Sequence, residues 1–299
     1  MNKVKVITDS CSDLGKELRD KYGMDYALMS IVWDDKEIPA STDGDLFSFK
    51  EMYDALRAGK RIITQQVSAA EFERVFSLYL EQGMDVVYVS LSSAMSGSYN
   101  IGQVVAKQLM EKYPGREVIC VDPKNSCLGE GIVAIEAAKV AATGAGVAEV
   151  AKAAENAAKY AMQFCTVESL EYFKRAGRVK ASAAFFGNLF GIKPIIINSH
   201  SGELEAVKKI KGRKKSLDEC VDMLVKSIGC DAFPVEEQTV YVAHADCEQD
   251  ANYLADAIRA KINPKDIVLN LIGPTVGATA GPGAISLCAF GNQYATLGE

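Results

Sequence analysis

Between Val4 and Ala142 the chain alternates short β-branched runs with amphipathic stretches of helical length, an order few architectures accept. Val4 to Thr8, Tyr26 to Trp33, Asp85 to Leu91 and Val118 to Val121 read as strands. Ser12 to Tyr22, Phe49 to Leu56, Ala69 to Leu80, Tyr99 to Met110 and Ile132 to Ala142 read as helices. Such repetition predicts βαβ units and a largely parallel sheet. Ser68 followed three residues later by Glu71 forms a capping box, and Gly83 closes that helix. An Ala-rich stretch from Val147 to Met162 predicts one long helix. From Gln163 the texture changes to strand, short helix, a Gly/Phe-rich segment and a hairpin at Ser199 to Gly202. The expectation is two packed α/β domains: residues 1–162 with a mainly parallel sheet, and 163–299 with a mixed one. The last segment is free to pack back on the first domain.

Bulk properties narrow the function. A chain of 299 residues can bury two cores, and its net charge of −6 argues against nucleic acid as a partner. The N-terminus runs from Met1 directly into a strand pattern without an apolar signal region, and no apolar run approaches the ~18 residues of a membrane span. A cytoplasmic location is the expectation. The eight cysteines show no C-x-x-C spacing, and two histidines, His200 and His244, exclude a His-rich metal site. No metal or cofactor is expected.

The chemistry concentrates where Val86 to Leu91 empties into Ser92-Ser93-Ala94-Met95-Ser96-Gly97-Ser98 at a helix start. Hydroxyls and backbone N–H groups at that point form an anion site. Thr64-Gln65-Gln66-Val67-Ser68 repeats the pattern, and Thr8-Asp9-Ser10 and Asp122 to Gly131 are weaker copies. Neither strong segment carries a Lys, Arg, His or Cys, so neither supplies a base to activate a hydroxyl, which suits recognition better than attack. Thr64 and Ser96 fall at the carboxyl edge of a doubly wound sheet, where ligands bind; Ser68 and Ser98 read as caps and turn formers. Gly129-Glu130-Gly131 matches a dinucleotide fingerprint only formally and reads as a tightly packed helix start.

Two basic islands stand out, Lys174 to Lys180 and Lys208 to Lys215. Within the first, Arg178 would raise anion affinity behind a hydroxyl cluster. Lys211 and Arg213 in the second are candidates for docking an acidic partner. Phe185, Phe186, Gly187 and Ile192 belong to an apolar segment suited to the wall of a narrow pocket. His244 and Asp246 follow a strand. With Ser96 or Ser10 they are the elements of an alternative reading, a hydrolase or phosphotransferase.

In order along the chain, Thr8 to Leu14, Thr64 to Ser68, Leu91 to Tyr99, Leu170 to Val179, Ile192 to Ile195, His244-Ala245-Asp246 and Gly281-Pro282-Gly283 resemble the DegV family of bacterial fatty-acid-binding proteins. The resemblance implies that the protein encloses one long-chain, palmitate-like fatty acid in a tunnel between or within the two domains. Its carboxylate is then held by Thr64 and Ser96, with Gln66, Ser98, Ser126, Arg178 and Thr279 in support. It further implies a non-catalytic carrier that presents the acid to a separate fatty acid kinase. The chain departs from the family pattern at Gln65, Val67 and Ser98, and it has Thr279 where the family often has His.

Overall fold

The computed structural model describes residues 3–180 and 191–297. The first half contains β1 (Val4–Asp9), β2 (Asp25–Ala27), β3 (Ser30–Trp33), β4 (Lys36–Pro39), β5 (Ile62–Gln65), β6 (Asp85–Val89) and β7 (Val118–Val121). A four-stranded sheet with the order β2-β1-β6-β7 is parallel throughout, as the strand-helix alternation requires. Every residue of β6 is buried, which explains its unbroken apolar run: a central parallel strand is covered on both faces.

The remaining strands are β8 (Ala161–Thr166), β9 (Val179–Lys180), β10 (Ile192–Asn198), β11 (Leu204–Lys211), β12 (Thr239–His244), β13 (Asp266–Leu271) and β14 (Ile285–Phe290). They form a seven-stranded mixed sheet in the order β13-β12-β14-β8-β10-β11-β9. Its parallel pairs are β12 with β13 and β11 with β9, and the others run antiparallel. Alternation along β8 and β14 splits their side chains between two cores. Met162, Phe164, Ile285 and Leu287 pack into one with the helices Arg213–Ser227 and Glu248–Arg259. Cys165 and Cys288 join the other, which continues into the parallel sheet.

Three features depart from the sequence expectation. Tyr26 to Trp33 is not one strand: β2 joins the parallel sheet, while β3 pairs with β4 and β5 in a separate three-stranded antiparallel sheet. Asp34 and Asp35 turn the β3–β4 hairpin with φ of 47° and 60°, left-handed conformations that short polar side chains tolerate. The Ala-rich helix ends at Ala158, and Ala161 and Met162 extend β8 because they pair with Phe290 and Ala289. The last described residues lie against the C-terminal core, where Tyr294 and Leu297 pack beside the helix Arg213–Ser227.

The capping residue at Ser68 is as expected, its hydroxyl accepting the Glu71 N–H at 3.1 Å. Gly131 also behaves as a packed helix start: a Cβ there would stand 2.9 Å from the Ser12 carbonyl oxygen.

Candidate functional site

A cavity of about 760 Å³ opens where the parallel sheet, the small antiparallel sheet and the mixed sheet meet. Its size suits a single small-molecule ligand. Thr64 reaches it from β5, and Gln66 from the loop that follows. Ser96 comes from the loop after β6, Ser126 from the residue before the helix Cys127–Ala142, and Thr279 from the helix Pro274–Ala280. Arg178 completes the set. Met29, Leu91, Met95, Phe173, Ile272 and Val276 supply apolar lining.

The loop carrying Ser96 is held from below. Asp9, fully buried, accepts the Leu91 N–H at 2.9 Å and the Tyr88 hydroxyl at 2.7 Å on one carboxylate oxygen, and the Cys11 N–H at 2.9 Å on the other. Burial raises its pKa, against the opposing effect of those donors. The Thr8-Asp9-Ser10 segment therefore braces the hydroxyl loop, and Ser10 itself accepts the Met29 N–H at 3.0 Å. Ser98 does not line the cavity. Its hydroxyl accepts the Val67 N–H at 3.1 Å and lies 2.9 Å from the Ser96 hydroxyl, tying the two hydroxyl motifs together. The helix Ser98–Lys112 begins here, its first N–H donating to the Ser96 hydroxyl at 3.2 Å, and its positive dipole end lies at this region.

At this end the Thr64 hydroxyl has no hydrogen-bond partner among the described residues. Thr279 donates to the Thr275 carbonyl at 3.2 Å. A smaller recess of about 170 Å³ shares Thr64, Arg178 and Thr279 with the cavity and adds Lys60, Arg61 and Arg175. Lys60 is paired with Asp34 at 3.0 Å, and Arg61, Arg175 and Arg178, with no carboxylate among the described lining, make the recess cationic on an acidic protein.

Other expected residues lie elsewhere. Phe185, Phe186 and Gly187 fall outside the described residues, and Ile192 opens β10 beside Lys211 without lining the cavity. Arg213 is not a free docking cation: its guanidinium pairs with Asp250 at 2.7 Å and with Glu168 at 3.3 Å, and donates to the Gly283 carbonyl at 2.7 Å. Lys211 remains exposed. His244 accepts the Cys247 N–H at 3.4 Å, and burial lowers its pKa. Asp246 pairs instead with Arg57 at 2.6 Å. Neither is bonded to Ser10 or Ser96, so the alternative set does not assemble as a base and nucleophile.

Sequence reasoning missed Gln163, Ser286 and Cys165, which line the cavity from β8 and β14. The signal available was an isolated polar residue, Gln163, within an apolar strand.

A family model described as "Uncharacterised protein, DegV family" matches residues 3–292. The chain belongs to the DegV family. It is 35% identical over 292 residues to a DegV domain-containing protein of Clostridium perfringens, covering 98% of this chain and 99% of that protein. Among solved structures it is similar to a DegV lipid-binding protein of Thermotoga maritima, with a TM-score of 0.82 and 25% identity over 96% of this chain and 97% of the other. It also resembles a DegV family protein of Thermus thermophilus described for its fatty acid binding, with a TM-score of 0.84 and 23% identity over 97% and 99% of the chains. No helix among the described residues of this DegV protein is long and apolar enough to cross a membrane.

Proposed function

We propose that this DegV protein is a carrier that binds one long-chain, palmitate-like fatty acid, holds its carboxylate with Thr64 and Ser96, and presents it to a separate fatty acid kinase. The observation that carries the reading is the unpartnered Thr64 hydroxyl, which borders the cationic recess and, with Ser96, lines a cavity of mixed polar and apolar wall. The lipid-binding and fatty-acid-binding relatives support the same ligand class.

The energetics fit a carrier. Burying the roughly fourteen methylenes of a sixteen-carbon acid at ~0.8 kcal/mol each contributes about 11 kcal/mol, and association costs several kcal/mol of that. The head group then needs only enough donors to avoid being an unpaired buried charge. Thr64, Ser96, Gln66, the helix N-terminus and Arg178 supply them, with Ser98 positioning Ser96. A carrier of this kind performs no chemistry itself, and its carboxylate end faces the cationic recess where a phosphoryl group would be delivered. Lys211 is the remaining candidate of the second basic island for docking the kinase.

Native mass spectrometry of the purified protein tests the reading. A co-purified mass in the fatty-acid range, displaced by added palmitate, is the expected result. A protein that carries a nucleotide instead and takes up no palmitate would overturn it.

A further inference from the structure

Gln163 is 4% exposed and Ser126 is 7% exposed, yet both line the cavity. They are held by a network of buried amides. Asn198 Nδ2 donates to Asn125 Oδ1 at 2.6 Å and to Gln163 Oε1 at 3.3 Å, and Asn125 Oδ1 also accepts the Ser126 N–H at 3.0 Å. The Gln163 N–H donates to Gln293 Oε1 at 3.2 Å. These bonds use Gln163 Oε1 and leave Gln163 Nε2 and the Ser126 hydroxyl without partners among the described residues. Beside them, the Ser286 hydroxyl has only the Cys288 thiol, at 3.4 Å.

These groups share one wall. Register places Ser286 opposite Cys165 and Cys288 opposite Gln163, so all four side chains occupy the same face of the mixed sheet. Ser126 comes onto that wall just before the first turn of the sixteen-residue helix Cys127–Ala142. The wall is distinct from the outer end. Thr64, Arg178 and Thr279 border the cationic recess, whereas the amides behind Gln163 border a separate surface depression containing Asn125, Asn198 and Gln293.

We propose that this wall is a second polar subsite, which receives an oxygen substituent on the acyl chain, so that the preferred ligand is a hydroxylated long-chain fatty acid. The inference rests on the carrier reading and deepens it. A plain alkyl chain against this wall leaves buried donors unpaired, a cost comparable to a lost hydrogen bond. The free atoms are mainly donors, an amide NH₂ and hydroxyls, so the ligand group must accept. It must also be neutral: Arg178, at the other end, is the one cation lining the cavity among the described residues, so a second carboxylate at this wall would be a buried charge without a cationic partner.

Isothermal titration of the full chain, stripped of lipid, with palmitic acid and with hexadecanoic acids carrying one hydroxyl at mid-chain or at the ω end tests this. At least one hydroxy acid is expected to bind about tenfold more tightly than palmitate, the size of one well-made hydrogen bond. That ratio should fall toward one in Ser126→Ala, which deletes a hydroxyl without a partner among the described residues, and in Gln163→Met. Tight binding of palmitate with no gain from any hydroxyl overturns the subsite and leaves the carrier reading standing. Binding of neither kind of acid removes both. A gain that survives both substitutions overturns the assignment to this wall.

Discussion

The hydroxyls of Ser96 and Ser98 lie 2.9 Å apart, and Ser98 simultaneously accepts the Val67 N–H at 3.1 Å. A hydroxyl has one proton. Because the Val67 N–H occupies a Ser98 lone pair, the Ser98 proton is available to Ser96, which in turn can direct its own proton to a ligand oxygen. Two loops far apart in sequence are thereby fixed to each other around the place where the carboxylate would sit.

Removing the head-group donors should weaken binding without unfolding the protein. Thr64→Ala with Ser96→Ala is expected to cost ~2 to 4 kcal/mol of fatty-acid affinity, as two hydrogen bonds to a charged group do. Tm without ligand should move little in Thr64→Ala alone, whose hydroxyl has no partner among the described residues, and more in Ser96→Ala, whose hydroxyl accepts the Ser98 N–H at 3.2 Å and lies 2.9 Å from the Ser98 hydroxyl. Undiminished palmitate affinity in the double variant would refute the assignment.

Ser98→Ala separates bracing from binding. It leaves the buried Val67 N–H unpaired, so a loss of about 1 to 3 kcal/mol in folding stability is expected, readable as a lower urea midpoint. Ser98→Thr keeps the hydroxyl and should recover most of it. If the Ala variant unfolds at the parent's midpoint, Ser98 does not brace these loops.

Gly97 packs directly under the Gln66 carboxamide, where a Cβ would stand 2.2 Å from Gln66 Oε1. In Gly97→Ala the flexible carboxamide must move aside, while the backbone, with φ of −77°, accepts alanine without strain. Palmitate affinity is expected to fall several-fold with little change in Tm. Equal affinities by calorimetry would show that Gln66 takes no part in binding.

Stability should depend on pH through Asp13. Burial is the largest influence on this carboxyl and raises its pKa from 3.8 to about 7, outweighing the lowering effect of the Gly273 N–H, which donates to it at 2.8 Å. The folded state thus retains a proton that the unfolded chain releases. Its contribution is complete below the unfolded value and is lost as pH rises through about 7, at up to about 1.4 kcal/mol per pH unit. Asp13→Asn keeps an acceptor for Gly273, and asparagine tolerates the φ of 54° at this position. Urea titrations from about pH 4 to about 7 should therefore show the variant gaining on the parent as pH rises. A constant difference across that window would count against a proton held at Asp13.

The sequence by itself determined whatever is local. The β6 run, the hydroxyls after it and the helix start at Ser98 were legible together because strand alternation, glycine and capping act within a few residues. The Thr64 motif was legible only as hydroxyls ahead of a helix: β5 belongs to the separate antiparallel sheet, not to the carboxyl edge of a doubly wound one. The mainly parallel first sheet was legible from the strand-helix alternation. Tertiary structure decided the rest. Ala161 and Met162 have the composition of a helix, and only their pairing with Ala289 and Phe290 makes them strand. Arg213 reads as part of a charged surface run, yet Glu168, Asp250 and Gly283, all distant in sequence, draw it inward. The wall residues Gln163 and Ser286 were least legible. In a strand buried on both faces, alternation no longer shows which side chains meet solvent and which meet a cavity, and the β8–β14 register alone turns Gln163 and Ser286 toward the cavity.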